Sequence, residues 1–232
     1  SCVAPDYLLV DARIKQELLL QLESCVQEFY GADPSQSPDY CRIINENHFL
    51  RLTRLLDQKK IVIGGKTNPD TRYIAPTVIE EVSLDDPLME EEIFGPILPV
   101  IEYNDLTEAI AFVNERPKPL ALYFFSRNKK LQTRVFRDTY SGGGCINDTV
   151  LHESITALPF GGVGESGIGK YHGKASFDTF SYKRSILRRS FLFDLFFRYS
   201  SNPDKPACAC PHADRPEQNP PRSHTLHSRY HS

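Results

Sequence analysis

Cys2 is a candidate nucleophile. A thiolate adds to a carbonyl carbon and later leaves it, and nearby cations or a helix N-terminus favour the ionised form. Ser1 offers a rival chemistry, with a terminal hydroxyl activated by its own amine. A second group of interest is Glu90-Glu91-Glu92-Ile93-Phe94-Gly95-Pro96, which sets a carboxylate two residues before an aromatic ring in a turn that feeds a strand. A carboxylate can accept from the paired hydroxyls of a ribose while the ring braces a flat partner. The plain alternative is an acidic surface loop with one buried phenylalanine.

The glycine-rich stretch Phe160-Gly161-Gly162-Val163-Gly164-Glu165-Ser166-Gly167-Ile168-Gly169-Lys170 matches two phosphate-binding patterns in part. Gly162, Gly164 and Gly167 fit G-x-G-x-x-G. Gly164, Gly169 and Lys170 fit a P-loop, except that Tyr171 stands where a hydroxyl must hold magnesium. No strong strand leads in through Pro159, and His172-Gly173 interrupts any helix that follows. The stretch reads as a loop with unusual backbone angles. Cys208, Cys210, His212, His224, His227 and His231 carry metal-ligating atoms, but their spacing matches no standard zinc pattern, and no metal is expected. Residues 183–198 interleave Lys and Arg with Leu, Ile and Phe. That mixture suits an anionic membrane surface or, preferred here, docking on another subunit.

These groups need elements to position them. Residues 11–31 read as an amphipathic helix, with Asp11 as cap, Gly31 after its end, and Ile14, Leu18, Leu22, Cys25 and Phe29 on one stripe. A second helix is expected over 45–57, with Phe49, Leu52, Leu55 and Leu56 inward. Residues 60–63 form a short strand before Gly64-Gly65, and 73–79 and 97–101 are β-rich. Asp105-Leu106-Thr107-Glu108 is a capping box for a helix that stops at Arg116-Pro117. Residues 120–125 read as a strand buried on both faces, followed by a helix over 128–139 with Leu131, Val135 and Phe136 inward. Strands alternating with helices of this length give an α/β fold with a mostly parallel sheet.

The 232 residues allow one large domain or two small ones. With 40% hydrophobic and 25% charged residues the chain is neither fibrous nor disordered throughout. A net charge of -3, from 27 basic and 30 acidic residues, provides no concentrated basic field, so no nucleic-acid partner is expected. No run approaches the length of a membrane span. Six cysteines are too sparse for a disulfide scaffold, which points to a reducing, cytoplasmic compartment. Residues 201–232 carry six prolines and one aliphatic side chain larger than alanine, and read as a disordered tail.

Taken in order, several stretches resemble the aldehyde dehydrogenase superfamily, most closely its class 3 branch, which includes the fatty-aldehyde enzymes. They are Ser1-Cys2-Val3-Ala4-Pro5-Asp6-Tyr7, Arg72-Tyr73-Ile74-Ala75-Pro76-Thr77, Glu91-Glu92-Ile93-Phe94-Gly95-Pro96, Lys118-Pro119-Leu120-Ala121-Leu122-Tyr123, Leu158-Pro159-Phe160-Gly161-Gly162-Val163-Gly164 and Tyr171-His172-Gly173-Lys174. The similarity runs from Ser1 to about Tyr199.

The resemblance implies that Cys2 attacks an aldehyde to give a thiohemiacetal, which is oxidised by NAD or NADP to a thioester and hydrolysed to the carboxylate. The Cys2 backbone N–H would be one oxyanion donor. Glu92 matches the glutamate that binds the nicotinamide ribose, Phe94 the aromatic beside the nicotinamide, and Phe160 a ring lining the substrate tunnel. The implied substrate is a medium- or long-chain aliphatic or an aromatic aldehyde. In the family the general-base glutamate, a second oxyanion donor (an asparagine) and the coenzyme-binding domain precede the cysteine. The chain, which starts without methionine, is therefore expected to be the C-terminal piece of such an enzyme and inactive alone. The alternative is a non-catalytic module that pairs with complete subunits. The expected organisation is the catalytic-domain half over 1–180, an oligomerisation strand and C-terminal segment over 181–200 that makes a homodimer, and the tail over 201–232. The tail is polar where some class 3 relatives carry a hydrophobic anchor; peripheral membrane association is the remaining form of attachment.

Overall fold

The computed structural model describes residues 1–56, 60–83 and 85–192. The chain divides into two units, Ser1–Lys183 and Arg184–Ser232. The first unit contains β1 (Leu8–Asp11), α1 (Lys15–Tyr30), α2 (Glu46–Arg54), β2 (Ile61–Ile63), β3 (Thr67–Asn68), β4 (Tyr73–Ile74) and β5 (Thr77–Ile79). After these come β6 (Ile97–Tyr103), α3 (Leu106–Asn114), β7 (Ala121–Phe124), α4 (Lys129–Asp138), β8 (Gly143–Ile146), α5 (Leu151–Ser154) and α6 (Gly173–Phe180). The main sheet has the order β1-β6-β5-β2, with β6 parallel to both neighbours and β2 antiparallel at the edge. β7 and β8 pair in parallel, and β3 and β4 form a short antiparallel ladder. The α/β expectation holds, with parallel pairing across β1, β6 and β5 and antiparallel pairing at the β2 edge.

Local chemistry explains several element boundaries. Asp105 and Glu108 form the expected capping box at the start of α3. Asn128 caps α4 by accepting from the N–H groups of Lys130 and Leu131. Asn45 caps α2, accepting from His48 N at 2.8 Å, and Phe49 and Leu52 on that helix are buried. The expected strand over 73–79 is broken into β4 and β5 around Ala75-Pro76, because Pro76 has no N–H for a ladder.

Three expectations need correction. Asp11 is not a helix cap: it ends β1 opposite Tyr103, and its carboxyl binds the Arg13 side chain and backbone N–H, which hold its pKa down to about 2. The helix starts later, at Lys15, and packs through Leu18, Leu19 and Leu22 against Val10, Val78 and Val100. Ile14, Cys25 and Phe29 are exposed rather than inward. Second, the residues of β7 are only partly buried and Phe125 is exposed, since among the described residues β7 pairs with β8 alone. Third, residues 181–190, where a strand is expected, carry neither helix nor strand in the single chain. The tail over 201–232, with its cysteines and histidines, lies outside the described residues, as do residues 193–198 of the basic–apolar stretch.

The core that matters for the site joins α2 to β4, β5 and β6. Phe49, Leu52, Ile74, Ile79, Leu88, Ile93 and Ile97 form one buried cluster. Ile93 is only 1% exposed. Burying such a side chain contributes about 1.5–3 kcal/mol, so the turn between Glu92 and Phe94 is pinned at its middle residue.

Candidate active site

The Cys2 segment is fastened on both sides of the cysteine, while Cys2 itself is exposed. Ala4 N donates to Ser1 O at 3.1 Å, closing a turn, and Val3 is buried. Tyr123 on β7 reaches across the chain to donate from Oη to Val3 O at 2.7 Å. Asp6 accepts from Ile93 N at 2.9 Å through Oδ1. The N-terminal segment is thus tied to β7 at one point and to the glutamate turn at another.

The glutamate turn is gripped from the other side by α2. Arg51 donates to Glu91 Oε1 at 2.9 Å, to Glu92 O at 3.4 Å and, through Nη2, to Ile93 O. His48 Nε2 donates to Phe94 O at 2.9 Å. Three successive carbonyls are therefore held by two side chains one turn apart on a single helix. Gly95 lies so close to α2 that a Cβ there would stand 2.6 Å from Leu52 Cδ1. Phe94 has φ of 52°, the left-handed region that a bulky residue adopts only when its surroundings compel it. The buried Ile93 and the bonded carbonyls on either side supply that compulsion. The Phe94 ring is half exposed.

Electrostatics link the two pieces. Partial burial raises the Glu92 carboxyl above its ordinary value, the Asp6 carboxylate raises it further, and the Ser1 ammonium opposes the rise. Glu92 therefore shares a neighbourhood with both ends of the Cys2 segment. Asp6 is also raised, by burial first, against the Ile93 N–H bond and the Arg51 charge. The Tyr123 phenol is raised by burial, and Cys145 and Cys2 push it the same way.

Phe160 belongs to a cluster of rings with His152, Tyr171 and His172. Its ring is 8% exposed and packs 5.6 Å from Tyr171, 5.8 Å from His152 and 5.9 Å from His172, centroid to centroid. It connects to the Cys2 segment through His152, whose ring meets Tyr123 at 5.8 Å. The structure thus joins Cys2 and Glu92 through Asp6 and Ile93, hangs Phe94 on α2, and reaches Phe160 only through intermediate rings.

Glu92 and Phe94 suit one end of a dinucleotide, a carboxylate for ribose hydroxyls beside a half-exposed ring. The glycine-rich loop supplies no cradle for the diphosphate. Phe160 and Tyr171 pair backbone to backbone at its two ends, at 3.0 and 2.9 Å, and Ser166 Oγ bridges to Val163 N and O inside it. A Cβ at Gly162 would lie 2.1 Å from Ser166 O, so this glycine serves chain-on-chain approach, while Gly164 and Gly169 have φ of 64° and 79°. Lys170 donates to Gly142 O at 2.6 Å. Among the described residues no three His, Cys, Asp or Glu side chains gather as a metal site, and no helix is long and apolar enough to cross a membrane.

Sequence reasoning did not single out Asp6, His48 or Arg51. The i, i+3 spacing of His48 and Arg51 on a capped helix was visible, but nothing in it named the acidic turn as their partner.

Residues 1–186 match the model of the aldehyde dehydrogenase family. The chain is 50% identical over 190 residues to the mouse dimeric NADP-preferring aldehyde dehydrogenase, covering 82% of this chain and 42% of that protein. It is 51% identical over 190 residues to aldehyde dehydrogenase family 3 member A2 of Pongo abelii, covering 82% and 39%. The substrate-bound structure of Staphylococcus aureus AldH superposes with a TM-score of 0.77 at 48% identity, covering 84% of this chain and 44% of that one. The chain spans about two fifths of the length of these relatives.

Proposed function

Since the chain belongs to the aldehyde dehydrogenase family, we propose that it carries the nucleophile and part of the nicotinamide site of an NAD(P)-dependent aldehyde oxidation. Cys2 Sγ attacks the aldehyde carbon, and the oxygen, now negative, is met by the Cys2 backbone N–H. Glu92 holds the ribose hydroxyls and Phe94 limits the swing of the nicotinamide ring, so that the reacting atoms meet in line. NAD(P), when bound, supplies the two-electron oxidant. The resulting thioester at Cys2 is then opened by water to the carboxylate. Phe160 bounds the path of an apolar aldehyde. On the family resemblance, the base for that water, the second oxyanion donor and the adenosine-binding surface come from the part of the relatives that precedes the cysteine. The chain by itself is therefore inactive.

The observation that supports this reading is the tie between the Cys2 segment and the Glu92 turn through the Asp6–Ile93 bond. Pairing with a second subunit is favoured by exposed Phe177, Phe180 and Tyr182 in one unit and by exposed Ile186 and Leu187 in the other. We assign that pairing to a homodimer; a purely non-catalytic pairing module would use the same side chains. The free cysteines at positions 2, 25, 41 and 145 fit a reducing, cytoplasmic compartment.

The test joins the segment of Staphylococcus aureus AldH that precedes the matching cysteine to residues 1–232 of this chain. The chimera should oxidise aldehydes with NAD(P), the chain alone should not, and Cys2→Ala in the chimera should cost several powers of ten in rate with coenzyme binding retained. Wild-type-like turnover in Cys2→Ala, or saturable NAD-dependent oxidation by the chain alone, would overturn the proposal.

A further inference from the structure

We propose that Cys145 and His152 form a second reactive thiol site, one that adds to soft electrophiles of the α,β-unsaturated aldehyde class with His152 as proton acceptor. Cys145 Sγ lies 3.4 Å from His152 Nδ1, and Cys145 is partly exposed. His152 is 9% exposed, and its Nε2 is buried with no hydrogen-bond partner. A histidine kept for structure alone normally has both ring nitrogens satisfied, because burying an unpaired one is costly. Among the described residues the Cys145 thiol is the hydrogen-bond partner at the other ring nitrogen, Nδ1.

The backbone is shaped to bring the two together. Asn147 and Val150, between β8 and α5, have φ of 58° and 61°. For β-branched Val150 that is a strained conformation. The turn carries α5 back under β8, so that the imidazole lies against the strand from which Cys145 projects. Position 143 must lack a side chain for this: a Cβ on Gly143 would stand 2.9 Å from His152 Cδ2 and 3.2 Å from Nε2. The rings of Tyr123 and Phe160, each 5.8 Å from the imidazole, form apolar walls. A neutral, conjugated carbon suits those walls better than a charged electrophile would.

The reaction balances without another reagent. The Cys145 S–H proton passes to His152 Nδ1 as Sγ bonds to the β-carbon of the alkenal. The carbon–carbon π pair moves to the α-carbon, which then takes the proton back. Nothing leaves and the product is a thioether that keeps its aldehyde. The site also adjoins the Cys2 segment: Cys145 sits opposite Tyr123 in the β7–β8 register, and Tyr123 holds Val3 O. The proposal does not depend on the role of Cys2.

The test treats the full 232-residue chain with crotonaldehyde, traps adducts with borohydride and follows each cysteine by peptide mass spectrometry. Cys145 should react faster than Cys25 and Cys41, although both of those are more exposed. His152→Asn should slow Cys145 by about tenfold or more, as loss of a positioned proton acceptor does, with the rates at Cys25 and Cys41 unchanged. Cys145 reacting no faster than Cys25 and Cys41 in the wild-type chain would overturn the proposal. So would a folded His152→Asn or His152→Gln variant that keeps the wild-type Cys145 rate. If neither variant folds, the wild-type ranking decides. Cys2 adducts are counted on their own peptide, so a failure of the proposed aldehyde chemistry at Cys2 leaves this result readable.

Discussion

Replacing Arg51 by methionine should destabilise the chain far more than replacing Glu91, the residue with which it makes its visible ion pair. That pair, at 2.9 Å, is exposed on the carboxylate side, where 65% of the Glu91 side chain is open to solvent. Such a pair contributes about 0.2–1 kcal/mol. The bonds from Arg51 to the carbonyls of Glu92 and Ile93 are different in kind. They are charge-assisted, one of them ends on the backbone of a residue that is 1% exposed, and loss of such a bond costs about 1.5–3 kcal/mol. Methionine keeps much of the apolar stem, so the deficit measures the guanidinium and not its packing.

Arg51→Met should therefore lose about 2–3 kcal/mol and Glu91→Gln less than about 1 kcal/mol. Urea unfolding of the 232-residue chain, followed by far-UV circular dichroism because the sequence has no tryptophan, resolves the difference. With a slope of about 2 kcal/mol per molar, the midpoint should fall by about 1–1.5 M for Arg51→Met and by less than about 0.5 M for Glu91→Gln. Equal shifts for the two variants would refute the reasoning, because the exposed ion pair would then hold the turn and the carbonyl bonds would be incidental.

Asp6→Asn should lower the Glu92 carboxyl, since the Asp6 charge is among the causes that raise it; an unchanged Glu92 titration by carboxyl-carbon NMR would separate the two residues. Gly95→Ala should cost about 1–3 kcal/mol through overpacking against Leu52, seen as a lower thermal midpoint, and an unaltered midpoint would mean that α2 does not press on the turn. In the chimera, ending the chain at Ser201 should leave a dimer in sedimentation and ending it at Phe180 should leave monomers or aggregates, whereas a dimer from the shorter chain would place the interface elsewhere.

What the sequence made legible follows the range of the interaction. Caps at Asn45, Asp105 and Asn128 act within three residues, and their residue types alone announce them. Asp11 has the same chemistry, but it lies where a parallel neighbour 92 positions later in the chain, Tyr103, claims its backbone for β1. Local capping preference yields to a ladder whose partner cannot be read nearby. The site divides in the same way. Cys2, Glu92 and Phe94 stand out because thiolate, carboxylate and ring have chemistry of their own. Asp6, His48 and Arg51 matter through bonds to backbone atoms 87, 46 and 41 residues away, and backbone atoms are the same at every position. No residue type in the acidic turn signals which side chain will hold its carbonyls. Ile93 is the exception that connects the two levels: an isoleucine between Glu92 and Phe94 has to be buried, and with it buried the backbone of the turn is bonded to Asp6 on one side and to His48 and Arg51 on the other. The precision of the site thus comes from long-range bonds to the backbone, while its chemical identity comes from a few side chains that announce themselves.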